Sequence, residues 1–151
     1  MAAAESPLER IETQIALLMR LGETTRRATP VAAHRALDRA AYVILRHLAG
    51  AGPQNVSALA DRLGLDGSTV TRQVSAMQRD GLVVREADPR DGRGTVITPT
   101  GSGLRRMAAV RAARKDLYGR ILADWSEADR EQLADLMDRL IDALEAHRRT
   151  G

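Results

Sequence analysis

Cysteine is absent from all 151 residues, which excludes disulfides, cysteine-ligated zinc and thiol-based redox chemistry. Phenylalanine is absent too, and the aromatics amount to one Trp and two Tyr, 2% of the chain. A core must therefore be built from Leu, Val, Ile, Met and Ala, side chains that suit closely packed helices. No apolar stretch runs far enough between charges to span a bilayer, so no membrane partner is expected. The start, Met1-Ala-Ala-Ala-Glu5, lacks the positive charge and apolar run of a secretory signal, and a cytoplasmic protein is expected. The histidines, His34, His47 and His147, are scattered, so neither a metal nor a cofactor is expected. Gly92 and Gly94 lack the strand-to-helix context of a phosphate loop, and no Ser–His–acid arrangement is visible. The chain is not read as an enzyme.

What is present is charge, unevenly laid out. The formal net charge of +3 permits a polyanionic partner without demanding one. Residues 105–120 carry six bases against the single acid Asp116, whereas residues 124–149 carry eight acids against four arginines. One end of the fold is expected to be basic and the other acidic.

The length fits a single domain, 1–151. Its first six residues are small and polar and are expected to fray. Leu8, Ile11, Ile15, Leu18 and Leu21 recur at helical spacing, and Gly22, Thr24, Thr25 and Pro30 weaken that helix toward its end. A second helix with Leu37, Ala41, Ile44, Leu45 and Leu48 on one side stops at Ala49-Gly-Ala-Gly-Pro53. Asn55 caps a short helix, Val56 to Leu63, closed by Gly64. Asp66 caps the next, from Gly67 to about Asp80, with Val70, Val74 and Met77 as its buried stripe. Leu82 to Glu86 and Thr95 to Thr98 read as strands around a turn-rich tip, Asp88 to Gly94. Helix resumes from Leu104 to about Ala123. A last helix, capped by Ser126, carries Leu133, Leu136, Met137, Leu140, Ile141 and Leu144. The fold class is mainly α with a small β-hairpin wing: a winged helix-turn-helix with N- and C-terminal helices able to join two copies as a homodimer.

Within the central helix pair, Ala60, Gly64 and Val70 supply a small crossing residue, a turn with backbone freedom and an apolar anchor. The residues left for solvent are Ser68, Thr69, Thr71, Arg72, Gln73 and Ser75, none acidic. Arg72 has the donors to pair with a guanine edge and Gln73 those for adenine, while the hydroxyls suit phosphate oxygens. Arg90 and Arg93 at the hairpin tip form a basic wing able to reach the backbone or a minor groove. Asp88 and Asp91, unfavourable beside phosphates, are read as internal partners that hold those arginines in position.

Gly64-Leu-Asp-Gly-Ser-Thr-Val-Thr-Arg72 resembles the start of the recognition helix in the MarR family of winged helix-turn-helix regulators. Asp88-Pro-Arg-Asp-Gly-Arg93, followed by Thr100 and Gly103, is similar to that family's wing signature. The resemblance covers nearly the whole chain; Gly67, Gly92 and Pro99 depart from it. It implies a sequence-specific double-stranded DNA-binding regulator, a homodimer on a palindromic operator, with repression relieved by a small aromatic or phenolic ligand. Residues 36–100 would form the DNA-binding region, and 8–30 with 104–147 the dimerisation region. Tyr42, His47, Tyr118 and Trp125 are the distinctive side chains for a ligand pocket between them. The missing cysteine removes the family's thiol-sensing branch. A winged-helix module for protein interaction without specific DNA binding, or an activator, remains open on the sequence.

Overall fold

The computed structural model describes residues 4–28 and 37–151, so Pro30 and His34 lie outside the described residues. Among those described, six helices flank one hairpin: α1 (Pro7–Ala28), α2 (Arg39–Ala51), α3 (Val56–Leu63), α4 (Gly67–Arg79), β1 (Val83–Ala87), β2 (Thr95–Pro99), α5 (Gly101–Ile121) and α6 (Glu127–Thr150).

The helix boundaries are chemical. Asp38, Asn55, Asp66, Thr100 and Ser126 each offer a side-chain oxygen to the N–H three residues on, satisfying a donor that the helix itself cannot. Gly64 (φ 67°) and Gly81 (φ 72°) end α3 and α4 in the left-handed region. At each, the following N–H reaches back over the turn, Leu65 to the Ala60 carbonyl (3.1 Å) and Leu82 to the Met77 carbonyl (2.9 Å), the Schellman arrangement that a Cβ would oppose.

Two boundaries differ from expectation. Ser6 is held rather than frayed. The Ser6 N–H donates to Glu9 Oε2 (2.7 Å) while Ser6 Oγ accepts from the Glu9 N–H (3.3 Å), a reciprocal capping box with Pro7 at the first helical position. Helix α5 starts at Gly101 rather than Leu104, because Thr100 Oγ1 accepts from the Gly103 N–H (2.9 Å). The same hydroxyl donates to the Gly81 carbonyl (2.6 Å), and the Thr100 N–H donates to the Leu82 carbonyl (3.0 Å). Thr100 thus ties the hairpin base to α5.

The strands pair antiparallel, Val83 opposite Pro99 and Ala87 opposite Thr95. A lone hairpin is marginal; here Gln54 pairs with Ile97 on the outer edge of β2, exchanging both backbone bonds (3.3 and 2.7 Å). The inner face supplies Val83 and Ile97 to a core with Leu45, Leu48, Leu59, Val70, Val74 and Met77. Met107 and Val110 belong to it as well, so the winged unit's core extends into the first half of α5, past position 100.

Helices α1 and α6 add nothing to that core. Leu8, Leu18, Met19 and Leu21 on α1, and Leu136, Met137, Leu140, Ile141 and Leu144 on α6, are all at least 40% exposed. Exposed apolar patches of this kind mark an interaction surface. No helix among the described residues is long and apolar enough to cross a membrane.

Candidate nucleic-acid interface

At about 100° per residue, Ser68, Thr71, Arg72 and Ser75 share one face of α4, opposite the buried stripe Val70, Val74 and Met77. Thr69 and Gln73 fall on the flanks and are half-buried. The hydrogen bonds then divide the candidates. The Ser68 hydroxyl donates to Asp66 Oδ1 (2.7 Å), which also accepts from the Thr69 N–H (2.7 Å). The Thr71 hydroxyl donates to the Gly67 carbonyl (2.8 Å). A phosphate oxygen can only accept, so the hydroxyl protons of Ser68 and Thr71 are already committed within the protein. Gln73 donates its amide to Asp38 (3.3 and 3.4 Å), which ties it to the cap of α2. Ser75 instead accepts from Arg85 (3.2 Å) and keeps its proton to give.

Bonds from Ser68, then from Thr69, hold the Asp66 carboxyl down to a pKa of about 2. The acid at the start of α4 is thereby engaged as a helix cap. Because its folded pKa lies below the ordinary 3.8, the stability it contributes is complete above pH 4 and is lost as pH falls toward 2. In urea titrations across that interval, Asp66→Asn, which keeps the accepting oxygen, is expected to lose less stability than wild type. Parallel acid limbs for the two proteins would refute the assignment.

At the wing, Asp88 Oδ1 accepts from the Arg90 N–H (2.8 Å) and Asp91 Oδ1 from the Arg93 N–H (3.1 Å). The two acids therefore shape the backbone of the tip rather than gripping the guanidinium groups, as short Asx turns do. Arg72, Arg90 and Arg93 are exposed, and among the described residues none has a side-chain hydrogen bond or ion pair. One further arginine was missed by the sequence reading. Arg85 on β1 divides its fork between Gln78 Oε1 (2.9 Å) and Ser75 Oγ, bracing the wing against α4. Gly67 opens α4 with free space around its Cα; nothing in the structure requires glycine there.

The four pocket candidates have different neighbours among the described residues. Tyr42 lies under the Arg114 guanidinium, 4.6 Å from ring centroid to Cζ. His47 faces an open groove with Arg62 and Glu145, where burial, then the Arg62 charge, lower its pKa against the pull of Glu145. Trp125 lines a separate shallow depression with Leu133 and Leu136, and Tyr118 stands 55% exposed on α5.

Residues 37–94, from Leu37 through the wing, match the MarR family model. An HTH-type transcriptional regulator of Bacillus subtilis, YxaD, is 31% identical over 140 residues, covering 90% of this chain and 94% of its own length. The chain belongs to the MarR family. This is a family of helix-turn-helix transcriptional regulators, not of enzymes. Two solved structures extend the likeness over the whole fold. The PcaV transcriptional regulator of Streptomyces coelicolor, in complex with its natural ligand, is 26% identical with a TM-score of 0.67, covering 95% of this chain and 99% of its own. A MarR family protein of Bacillus stearothermophilus shares the fold at 21% identity and a TM-score of 0.72, covering 95% and 99%. In this MarR member, α4 is the second helix of the helix-turn-helix and the β1–β2 hairpin is the wing.

Proposed function

We propose that this MarR protein is a cytoplasmic homodimer that binds a palindromic operator and represses by occupancy. Residues 36–100, with the start of α5, form the DNA-binding unit, and the flanking helices within 8–30 and 104–147 pair the two copies. The observation that carries the reading is the set of three exposed arginines, Arg72, Arg90 and Arg93, left without a hydrogen bond or ion pair among the described residues on one helix face and the adjoining wing tip. The bare apolar faces of α1 and α6 support pairing. Two recognition helices would then enter major grooves about 34–36 Å apart, with Arg72 at base edges and the wings on the flanking backbone. A small aromatic or phenolic ligand would release the DNA by favouring a different spacing of the helices; the ligand-bound Streptomyces relative supports that step.

The test is in vitro selection of duplex DNA with the full-length protein, followed by anisotropy titrations of the recovered duplex across salt concentrations. Four wing arginines per dimer on phosphates predict a log–log slope of about −4 or steeper. Selection that yields no common palindrome, or a slope near zero, would instead favour a protein-interaction module.

A further inference from the structure

Helix α6 gives no side chain to the buried core, yet its last turns are not free. Arg62, at the end of α3, pairs with Glu145 of α6 (2.5 Å), and the Arg148 guanidinium donates to the Arg62 carbonyl (3.3 Å). The Arg148 stem lies across the turn between α3 and α4, where a Cβ on Gly64 would stand 2.5 Å from Arg148 Cδ. Glu145 is the least exposed partner in any ion pair among the described residues, at 26%. Arg62 and Glu145 are 83 residues apart, so neither sequence spacing nor helix pairing explains their meeting. It joins the helix with the bare apolar stripe to the turn that launches the recognition helix.

We infer that Arg62, Glu145 and Arg148 form a latch that positions the helix-turn-helix relative to the terminal helices, making Glu145 and Arg148 positioning residues for DNA binding. The inference rests on the dimeric reading above. Two recognition helices meet two half-sites at a fixed separation only if each winged unit is held against its own terminal helices. Helix α6 itself shares no buried residue with the winged core, and the ion pair between α2 and α1, Arg39 to Glu23 (3.0 Å), is more exposed, at 60% and 47%. Without the latch, the separation of the recognition helices fluctuates, and binding must order it anew. The latch also gives a ligand a route to DNA affinity, since any molecule that displaces Glu145 from Arg62 frees the α3–α4 unit.

The experiment uses the full-length protein, the duplex recovered by selection and a scrambled duplex of equal length. A partly exposed pair is worth at most about fivefold, and the dimer holds two. Glu145→Gln is therefore expected to lower affinity for the selected duplex by up to about twenty-five-fold, while leaving the scrambled duplex, the salt slope and the sedimenting dimer unchanged. Arg62→Glu and Glu145→Arg should each weaken binding, and the two together should restore it. Failure of the exchanged pair to restore binding would overturn the latch, as would a salt slope made shallower by about one unit per lost charge in Arg62→Gln, which marks a phosphate contact. Tighter binding by Glu145→Gln would overturn it too. If the wild-type protein selects no duplex, the dimeric DNA-binding reading fails instead, and that outcome is distinct.

Discussion

Arg72→Ala is expected to abolish discrimination between the selected duplex and a scrambled one while leaving the fold intact. Arg72 is exposed and makes no hydrogen bond or ion pair among the described residues, only a minor charge interaction with Asp66, so its removal leaves no buried group unsatisfied. Its place on α4, between Thr71 and the half-buried Gln73, is the centre of the outer face. A bidentate arginine–guanine contact contributes about 1–3 kcal/mol of discrimination. A homodimer carries the substitution twice, so about 2–6 kcal/mol is lost, a fall of roughly thirtyfold to beyond ten-thousandfold. Competition anisotropy at fixed salt reads this directly. The scrambled duplex should be bound only slightly less well, because the wing arginines supply most of the non-specific attraction. Arg72→Lys should rescue little, since an ammonium lacks the planar fork. An equal loss on both duplexes would make Arg72 a phosphate contact and move base reading to another residue.

The local chemistry of this fold was legible in the chain. Asn55, Asp66 and Ser126 announce helix starts, and Gly64 and Gly81 announce ends, because capping depends on side chains within a few residues of one another. The hairpin followed from β-favouring runs around a Pro- and Gly-rich tip. Ser6-Pro-Leu-Glu9 was equally local and was passed over, since small polar composition hid a capping box. What could not be read were contacts across distance. Gln73 looked free until α4 packed beside the cap of α2 and met Asp38, 35 residues away. Gln54 gave no sign that it would pair with Ile97. Arg85 looked like ordinary strand charge until the hairpin brought it to Ser75 and Gln78. The aromatics stand out for a pocket by their rarity, which carries no information about proximity. Helix α1 continues past Gly22, Thr24 and Thr25 to Ala28, because weak propensity over three residues lowers helix stability without setting a boundary.

Gly103→Ala is expected to be the most damaging single methyl in the chain. A Cβ at this position would stand 2.2 Å from the Leu82 carbonyl oxygen and 3.0 Å from its carbon, with Leu45 Cδ2 at 3.2 Å. These are backbone atoms, and the carbonyl cannot move away cheaply because it accepts the Thr100 N–H at 3.0 Å. The Thr100 hydroxyl is fixed as well, between Gly81 and Gly103 itself. Relief therefore requires α5 to lift from the hairpin base, opening the contact with fully buried Leu45. Overpacking of this kind destabilises by about 3 kcal/mol, or close to 10 °C in melting temperature for a chain of this length. Gly101→Ala is the control, two residues earlier on the same helix. There the nearest atoms belong to the flexible Arg105 guanidinium, at 3.1 Å, and the side chain can swing aside, so a change of no more than about 1 kcal/mol is expected. Thermal unfolding of the two variants separates packing from helix propensity, since both exchange the same atoms in the same helix. Equal melting temperatures would mean that α5 and the hairpin base can separate freely. In that case Thr100 could not be the fixed joint on which the wing, and with it Arg90 and Arg93, is aimed.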